Sequence, residues 1–269
     1  MTAKTTLLSR REFVKLATQV GVSAAVVGAF MQIRGALTKA KAGSHGPVSD
    51  AYHWVMVIDL GRCTGCNYCT YACKATNDTA PGITWNAVFN DRQSFAKEVY
   101  LARPCMHCEH APCVEVCPVG ATYHRADGLV AMDYDLCIGC RYCQIACPYG
   151  ARYFNWEDNN QPNPMAPEWG KPEIERRPRG VVEKCTFCTH RIDAGLENGL
   201  RPGIDEDATP ACVNICPVKA RQFGDLNDPD SKVSKLLAER ESIQLREDLG
   251  THPRVYYMLP ERGEDQTCA

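Results

Sequence analysis

The stretch Cys137-Ile138-Gly139-Cys140-Arg141-Tyr142-Cys143-Gln144-Ile145-Ala146-Cys147-Pro148 contains four cysteines at the spacing C-x-x-C-x-x-C-x-x-x-C-P. This spacing is typical of thiolate ligands to [4Fe–4S] clusters, in which three closely spaced cysteines surround one cluster. The fourth cysteine lies one helical turn beyond the third and tends to bind a different cluster. A single run of this kind therefore predicts a pair of clusters.

Three other cysteine groups occur along the chain, so that sixteen of the seventeen cysteines belong to four groups of four and only Cys268 stands alone. The first group is Cys63, Cys66, Cys69 and Cys73; the second is Cys105, Cys108, Cys113 and Cys117; the third is Cys137, Cys140, Cys143 and Cys147; the fourth is Cys185, Cys188, Cys212 and Cys216. Because each [4Fe–4S] cluster takes four thiolates, these iron ligands predict four clusters.

The four groups form two pairs by sequence. The first and third share G-C-x-Y-C-x-x-A-C, and each follows a predicted strand that ends in an aspartate, Asp59 or Asp133. The second and fourth share C-x-x-C followed by C-V-x-x-C-P. A unit of two groups is thus repeated after about 75 residues,. The predicted fold class is α+β, with duplicated ferredoxin-like units of the bacterial 2[4Fe–4S] type, long loops and short strands.

Disulfide bridges and structural zinc sites are the two other uses of clustered cysteines. Four tight groups, two of them with three cysteines at intervals of three residues, make a poor disulfide framework. Zinc sites use C-x-x-C pairs but seldom use three thiols at this interval with a proline after the fourth. Both alternatives are therefore disfavoured against iron–sulfur clusters.

The composition indicates a metal-dependent fold and argues against several functions. The hydrophobic fraction of 45% is ordinary and only 8% of the residues are aromatic, so the clusters are expected to help hold the fold together,. Residues 1–42 carry seven basic residues and one acidic residue, and the remainder carries 23 basic and 31 acidic residues, a balance of −8 that disfavours nucleic-acid binding,. The sequence has no phosphate-binding glycine-rich loop, dinucleotide fingerprint or nucleophile–base pattern. No catalytic residue is therefore predicted.

Residues 1–42 are interpreted as an export signal. Ser9-Arg10-Arg11-Glu12-Phe13 is a twin-arginine pattern, and a mildly apolar stretch from Ala17 to Met31 follows it,. Ala40-Lys41-Ala42 offers a cleavage site before the polar linker of residues 43–53,. Retention of the apolar stretch as a membrane anchor and a basic amphipathic helix are the alternatives. The twin-arginine route moves folded proteins with their cofactors, so it suits a periplasmic or extracytoplasmic protein that acquires clusters before export.

The segments between the cysteine groups carry a few secondary-structure signals. Trp54–Asp59 is typical of a buried strand, and the alternating pattern of Ala121–Asp133, broken at Asp-Gly, predicts a β-hairpin,. Asn155–Gly180 contains five prolines and is expected to be an ordered loop across a surface, with an interface role and a solvated insertion as equal alternatives,. Asp225–Leu249 is helix-friendly, and Val255–Met258 is expected to add an edge strand.

Two kinds of residue beside the cysteines are candidates for neighbours of the clusters. Gly65 and Gly139 are expected to let the backbone approach the inorganic sulfides. His107 and His110 flank Cys108 but are interpreted as packed or hydrogen-bonding neighbours, because the second group is complete without them.

Four cations beside the ligands have two open interpretations. Arg141, Lys184, Lys219 and Arg221 either raise cluster potentials through their charge or are solvated surface groups,.

The four cysteine groups, the twin-arginine start and the run Lys184-Cys185-Thr186-Phe187-Cys188-Thr189-His190-Arg191 resemble the four-cluster electron-transfer subunit of complex iron–sulfur molybdoenzymes. Dimethyl-sulfoxide, polysulfide and tetrathionate reductases have such a subunit, and it is also similar to parts of quinone-linked respiratory complexes. The resemblance covers residues 54–225. It implies a non-catalytic subunit that passes electrons between an integral-membrane quinone-reactive subunit and a catalytic molybdopterin-type subunit, in a hetero-oligomer held peripherally on the membrane.

The same resemblance implies how the cysteines are shared, because in this family each group lends its last cysteine to the cluster of its partner group. The implied ligand sets are Cys63, Cys66, Cys69 and Cys216; Cys185, Cys188, Cys212 and Cys73; Cys105, Cys108, Cys113 and Cys147; and Cys137, Cys140, Cys143 and Cys117. Residues 101–154 then form an inner unit and residues 54–100 with 180–225 an outer unit, with 155–179 as an insertion loop and 226–269 as a C-terminal extension.

Three other functions remain open from the sequence. A free periplasmic polyferredoxin would carry electrons without a fixed complex. A subunit of a quinone-linked complex with no molybdenum partner would need the same clusters. A structural metal-binding scaffold would not cycle its metal between oxidation states.

Overall fold

The structure, a computed structural model, describes residues 50–91 and 98–260. The predicted twin-arginine signal, the linker up to residue 49 and Cys268 lie outside the described residues.

Short helices and small sheets make up the described ranges. The strands are β1 (Trp54–Asp59), β2 (Ala87–Asp91), β3 (Val99–Arg103), β4 (Thr122–His124), β5 (Val130–Met132), β6 (Tyr153–Phe154), β7 (Val182–Glu183), β8 (Arg221–Asp225), β9 (Ser242–Ile243) and β10 (Val255–Met258). The helices are α1 (Tyr68–Thr76), α2 (Pro112–Glu115), α3 (Tyr142–Ala146), α4 (Thr189–Glu197), α5 (Ala211–Asn214) and α6 (Lys232–Glu239), and Glu206–Ala208 and Glu247–Leu249 are 3₁₀ helices. This is the α+β class that the sequence predicts.

Strand β1 lies at the centre of the fold with the bounds that the sequence predicts. All six of its residues are buried. Met56 and Ile58 belong to the core that contains the cysteine groups, whereas Val55 and Val57 pack with Val233 of α6 in a second core. Because both faces are covered, the strand is a continuous hydrophobic run without polar alternation.

The C-terminal strand β10 is an interior strand, so the prediction of an edge strand for Val255–Met258 is wrong. The strand order is β8-β1-β10-β9, with β10 parallel to β1 and antiparallel to β9. Val255 and Tyr257 are fully buried, and the Tyr257 hydroxyl donates a hydrogen bond to the carbonyl of Ala102 at 3.0 Å. A run of four apolar residues fits an edge or a centre equally well, and the short β9, which fills the outer position, carries no strand signal.

The first and third cysteine groups share a local structure as well as a sequence pattern. Asn67 and Arg141 adopt the left-handed conformation, with φ of 63° and 62°, immediately before α1 and α3. The carboxylates of Asp59 and Asp133 each accept hydrogen bonds from two backbone amides of the following turn. The sequence repeat is therefore a structural repeat.

Helix packing joins the cysteine groups in a nested order. Helix α1 of the first group packs against α5 of the fourth, and α2 of the second packs against α3 of the third. The hairpin predicted between the second and third groups is confirmed, since β4 pairs antiparallel with β5 and Gly128 occupies the turn with φ of 77°.

The loop of residues 155–180 is packed against the chain's own helices. The ring of Trp169 contacts the ring of Tyr68 on α1 at 4.8 Å, and Asn163 donates to the carbonyl of Lys74 at 2.8 Å. Glu173 accepts hydrogen bonds from Arg191 of α4. The predicted ordered loop across a surface is thus confirmed, and the surface is formed by α1 and α4.

Candidate metal centres

Four cysteines from the first and fourth groups line one cavity. Cys63, Cys66 and Cys69 come from the turn before α1 and its first residues, and Cys216 follows α5; these four are called site A. Burial raises the pKa of Cys63, and negative charge on Cys69 and Cys216 raises it further. The first group therefore meets the last cysteine of the fourth group around one space.

A second cavity is lined by four cysteines of the second and third groups. Cys137, Cys140 and Cys143 surround it from the turn before α3 and from α3 itself, and Cys117 follows α2; these four are called site D. Burial raises the pKa of Cys143, while the charges of Cys137 and Cys117 add to the rise. Site D thus repeats the construction of site A.

The other eight cysteines form two further sets. Site B contains Cys73, Cys185, Cys188 and Cys212, and site C contains Cys105, Cys108, Cys113 and Cys147. Burial, followed by the charges of the other three thiols of site B, raises the pKa of Cys73 well above its ordinary value. Burial and the other three thiols of site C raise the pKa of Cys108 to about 12. Cys73 and Cys108 therefore each have the other three thiols of their own set as electrostatic neighbours.

The four sites differ in their exposure to solvent. Sites A and D each contain one exposed cysteine, Cys66 and Cys140 respectively. All four cysteines of site B are buried, and in site C only Cys147 is half-buried. Sites A and D thus reach the surface, whereas sites B and C lie inside the protein.

Backbone amides donate hydrogen bonds to several of the cysteine sulfurs. Cys105 and Cys185 accept from the amides of His107 and Phe187 at 3.5 and 3.4 Å. The last cysteines of the second, third and fourth groups accept from the amides of Thr122, Ala151 and Ala220 at 3.4, 3.5 and 3.3 Å. Such donors stabilise thiolate charge. Four thiols with amide donors around a shared space fit the requirements of a [4Fe–4S] cluster.

Three buried cations of the described residues contact these sites. Arg152 donates to the sulfur of Cys113 at 3.0 Å, Arg221 to the sulfur of Cys212 at 3.6 Å, and Lys184 to the carbonyl of Cys185 at 2.9 Å. All three residues are buried: Arg152 and Arg221 are each 2% exposed, and Lys184 is 0% exposed. A buried cation requires compensating negative charge, and thiolates with their clusters supply it.

Sequence reasoning missed Arg152, although a signal for it exists. Cys147-Pro148-Tyr149-Gly150-Ala151-Arg152 and Cys216-Pro217-Val218-Lys219-Ala220-Arg221 share the pattern C-P-x-x-A-R. An arginine therefore lies five residues after the last cysteine of the third group and of the fourth group.

Asn77 was also missed, because a lone asparagine beyond the fourth cysteine has no distinctive spacing. Its amide nitrogen donates to the sulfurs of Cys73 and Cys188 at 3.6 and 3.7 Å. Arg177 of the 155–180 loop donates in turn to the carbonyl of Asn77. The loop thus supports a residue that contacts site B.

The two histidines that flank Cys108 contact other residues of the chain. His107 is fully buried: its Nδ1 accepts from the amide of Val130 at 3.2 Å and its Nε2 donates to the carbonyl of Cys185 at 3.1 Å. This confirms its interpretation as a hydrogen-bonding neighbour. The ring of His110 lies 5.1 Å from the ring of His252.

The remaining neighbours predicted from the sequence lie apart from the interior. The guanidinium of Arg141 lies over the ring of Trp156 at 4.6 Å, and Lys219 is exposed. Gly139 has φ of 69°, and a Cβ added there would come within 2.1 Å of the carbonyl oxygen of Gly180. Close approach of backbone to backbone therefore requires glycine at this position.

Two features are absent from the part of the chain that the structure describes. No group of three or more His, Cys, Asp or Glu side chains in residues 50–91 and 98–260 is arranged for a single metal ion. No helix in the same ranges has the length and apolar character to cross a membrane.

Comparison with family profiles identifies the class of protein that these sites define. Residues 96–163 and 136–220 each match the profile of a 4Fe-4S dicluster domain, and residues 54–75 match that of a 4Fe-4S binding domain. The protein is thus an iron–sulfur protein that binds [4Fe–4S] clusters in tandem ferredoxin-like domains.

Curated relatives narrow this class. A protein of Halobacterium salinarum, named as an iron-sulfur subunit of dimethyl sulfoxide reductase, is 45% identical over 77% of this chain and 79% of its own length. The menaquinone reductase iron-sulfur cluster-binding subunit of Nitratidesulfovibrio vulgaris is 44% identical over 76% and 88%. The Hdr-like menaquinol oxidoreductase iron-sulfur subunit 1 of Archaeoglobus fulgidus is 37% identical over 93% and 98%. The chain belongs to this family of iron–sulfur subunits of reductase complexes.

Proposed function

We propose that this chain relays single electrons through four [4Fe–4S] clusters between two partner proteins of a respiratory oxidoreductase complex. The observation that carries the proposal is the exposure pattern: two sites with an exposed cysteine each accompany two sites that are almost fully buried. Surface sites can exchange electrons with partners, and interior sites can connect them. The clusters supply the redox chemistry, and the chain holds them in place and sets their surroundings.

Each of sites A, B, C and D holds one cluster through its four cysteines. The two cavities and the mutual effects of the thiols on their pKa values support these sets. The same sets follow from the family resemblance, in which groups exchange their last cysteines. Sixteen ligands then account for every cysteine of the described residues.

The order of the relay is A, B, C, D. Negative charge on Cys69 of site A contributes to the raised pKa of Cys212 in site B. Negative charge on Cys105 of site C contributes, after burial, to the pKa of about 12 at Cys185 in site B. Arg152 interacts with thiols of both site C and site D. Each step of the relay thus joins sites that are electrostatic neighbours.

An exposed apolar surface next to site D supports its role as a docking end. Leu136, Ile138, Tyr142, Ile145 and Trp156 are exposed there, with Ile145 at 81% and Ile138 at 63%. Exposed apolar side chains grouped near one site favour a protein contact there. This surface, called the site D patch, receives one of the two partners.

The partners that suit the chain are a catalytic molybdopterin-type subunit and an integral-membrane quinone-reactive subunit. Relatives named as subunits of dimethyl sulfoxide reductase and menaquinone reductase support this choice. The chain then sits peripherally on the membrane through its partners. The twin-arginine pattern of residues 9–13 supports the extracytoplasmic side,.

Isolation of the native complex tests the proposal. We expect the chain to copurify with two larger subunits, with molybdenum in one of them, and to show four EPR-active clusters after reduction with dithionite. A diffusing carrier would purify alone. A protein that contains zinc, or one that gives no EPR signal on reduction, would contradict the proposal.

A quinone-linked complex with no molybdenum subunit is the second candidate. The observation that favours it is the extent of the match to the menaquinol oxidoreductase subunit, which covers 93% of this chain and 98% of the relative. The relay and its four clusters are the same in both candidates. Metal analysis of the purified complex separates them, because molybdenum in stoichiometric amount occurs only in the first.

A further inference from the structure

We propose that three buried cations, Arg221, Lys184 and Arg152, lie at the three junctions of the relay and that each one raises the reduction potentials of both clusters beside it. This inference rests on the proposed assignment of clusters to sites A to D. The cations are positioning residues for electron transfer, because they act on the clusters through their charge and do not bind iron.

Arg221 lies between sites A and B. Its guanidinium donates to the sulfur of Cys212 in site B at 3.6 Å and to the side-chain oxygen of Asn86 at 2.6 Å. Arg221 is also one of the residues that line the cavity of site A. Burial alone would lower the pKa of Arg221, but the negative charges of Cys69, Cys212 and Cys63 raise it. The guanidinium therefore interacts with thiolates of both sites.

Arg152 occupies the corresponding position between sites C and D. It donates to the sulfur of Cys113 in site C at 3.0 Å. The same guanidinium hydrogen-bonds with and lowers the pKa of Cys143 in site D, against the larger effect of burial. The charges of Cys113, Cys143 and Cys105 raise the pKa of Arg152, again against burial.

Lys184 lies between sites B and C and completes the series. Its ammonium group donates to the carbonyls of Val130 and Cys185. Burial, with a smaller effect from the charge of Arg152, lowers the pKa of Lys184, while the negative charges of Cys105 and Cys113 of site C and of Cys185 of site B raise it. The interior junction therefore has a basic side chain as well.

The pattern C-P-x-x-A-R, shared by the third and fourth groups, explains the placement of the two arginines. In both copies of C-P-x-x-A-R, the alanine amide donates to the sulfur of the last cysteine, at 3.5 Å from Ala151 and 3.3 Å from Ala220. That bond fixes the turn after the cysteine, and the arginine follows at once. Cys147 belongs to site C while the other three cysteines of its group belong to site D, and Cys216 likewise belongs to site A while the others of its group belong to site B. The arginine that follows each of these cysteines therefore lies between the two sites.

The electrostatic effect has a definite sign. A [4Fe–4S] cluster with four thiolates gains one negative charge when it is reduced, and a nearby cation stabilises the reduced form more than the oxidised form. Removal of the cation therefore lowers the reduction potential. A cation in low-dielectric surroundings between two clusters acts on both, so the two potentials change together.

Redox titration of the purified complex, followed by EPR, tests the inference. We expect Arg221→Gln to lower the potentials of the site A and site B clusters by a tenfold change or more in their oxidised-to-reduced ratio, about 59 mV for one electron. The clusters of sites C and D are expected to stay unchanged. Arg152→Gln is expected to lower the potentials of the site C and site D clusters and to leave those of sites A and B unchanged. Lys184→Gln is expected to lower the potentials of the site B and site C clusters. Arg221→Lys is expected to restore most of the potential because it keeps the charge.

Two further variants serve as control and as safeguard. Lys219→Gln removes an exposed cation two residues before Arg221, and no potential is expected to change. Asn86→Asp keeps the arginine and its hydrogen bond but places a carboxylate against it, so it is expected to lower the potentials of sites A and B even if Arg221→Gln fails to assemble. The inference would be overturned if Arg221→Gln or Asn86→Asp changed the reduction potential of one cluster only, or changed all four potentials equally. It would also be overturned if neither of these two variants changed any potential. Fewer than four clusters in the unmodified protein would instead contradict the proposed function.

Discussion

Sites A and D and sites B and C have the same ligands but different surroundings. Each surface site has an exposed cysteine, next to a turn in which Asn67 or Arg141 adopts the left-handed conformation. The interior sites are covered by helices, by the 155–180 loop and by buried hydrogen-bonding side chains such as Asn77 and His107. One cysteine pattern thus occurs in two surroundings, exposed in sites A and D and buried in sites B and C. In the proposed relay, the exposed sites contact the partners and the buried sites connect them.

The largest expected effect concerns which cysteine belongs to which site. Cys147→Ser should remove or convert the cluster of site C, because Cys147 lies with Cys105, Cys108 and Cys113 although it belongs to the third group. The cluster of site D should persist. EPR spectra of the reduced protein measure both clusters.

Cys117→Ser is the matched control for this crossed arrangement, and it should damage site D while site C persists. The crossed ligand sets would be contradicted if Cys147→Ser damaged the cluster of site D and Cys117→Ser damaged the cluster of site C.

Iron release should separate surface sites from interior sites. Iron from sites A and D is expected to leave at least about tenfold faster than iron from sites B and C under an oxidant and an iron chelator. The reason is that interior sites require local opening, and each 1.4 kcal/mol of opening free energy is a factor of ten. The time course of released iron, with EPR of the clusters that remain, is the measurement. A single phase shared by all four clusters would abolish the distinction.

The site D patch should be needed for docking but not for the cluster. Ile145→Glu places a charge on the most exposed apolar residue of the patch and should weaken binding of the partner by about tenfold or more,. EPR of the site D cluster should be unchanged, since the side chain of Ile145 points to solvent. Affinity of the purified chain for the partner subunits is the measurement.

Ile204→Glu gives the control for the patch, because Ile204 is 65% exposed in the insertion between Cys188 and Cys212 and lies outside the patch. Equal weakening by both substitutions would mean that the patch is not the docking surface.

The smallest expected effect concerns the cover of site B. Trp169→Ala removes ring contacts with Tyr68 and Tyr71 on α1, worth about 1 kcal/mol each,. Iron loss from site B should become several-fold faster, with little change at site C. Trp156→Ala removes a ring that is 63% exposed and should leave site B as it was. If both substitutions accelerate site B equally, the loop is not its cover.

Much of the local structure could be predicted from the sequence because cysteine spacing and hydrophobic runs are local signals. The strand Trp54–Asp59, the hairpin around Asp127-Gly128 and the repeat of the first and third groups are all confirmed. The fold class and the type of cluster are confirmed as well. The strand and the hairpin depend on neighbouring residues, so a single segment suffices to predict them, whereas the repeat appears when two segments with the same local pattern are compared.

Features that depend on distant pairing were harder to predict. The interior position of β10 depends on its partners β1 and β9, and its four residues do not specify which edge is paired. Arg152 is ordinary by composition, and its importance comes from the sites that meet around it. The repeated pattern C-P-x-x-A-R carries this information only when both copies are compared.

The parallel pairing of β1 with β10 has a consequence for the order in which the protein is made. Residues 54–59, which form β1, leave the ribosome well before residues 255–258. These later residues form β10, the strand that pairs with β1 on one side. Pairing at such a separation is slow and depends on prior approach of distant parts of the chain. The sheet that leads into the first cysteine group is therefore completed only after residue 258 has been synthesised. A chain terminated before residue 255 lacks this strand, so that only longer chains present a finished scaffold for cluster insertion.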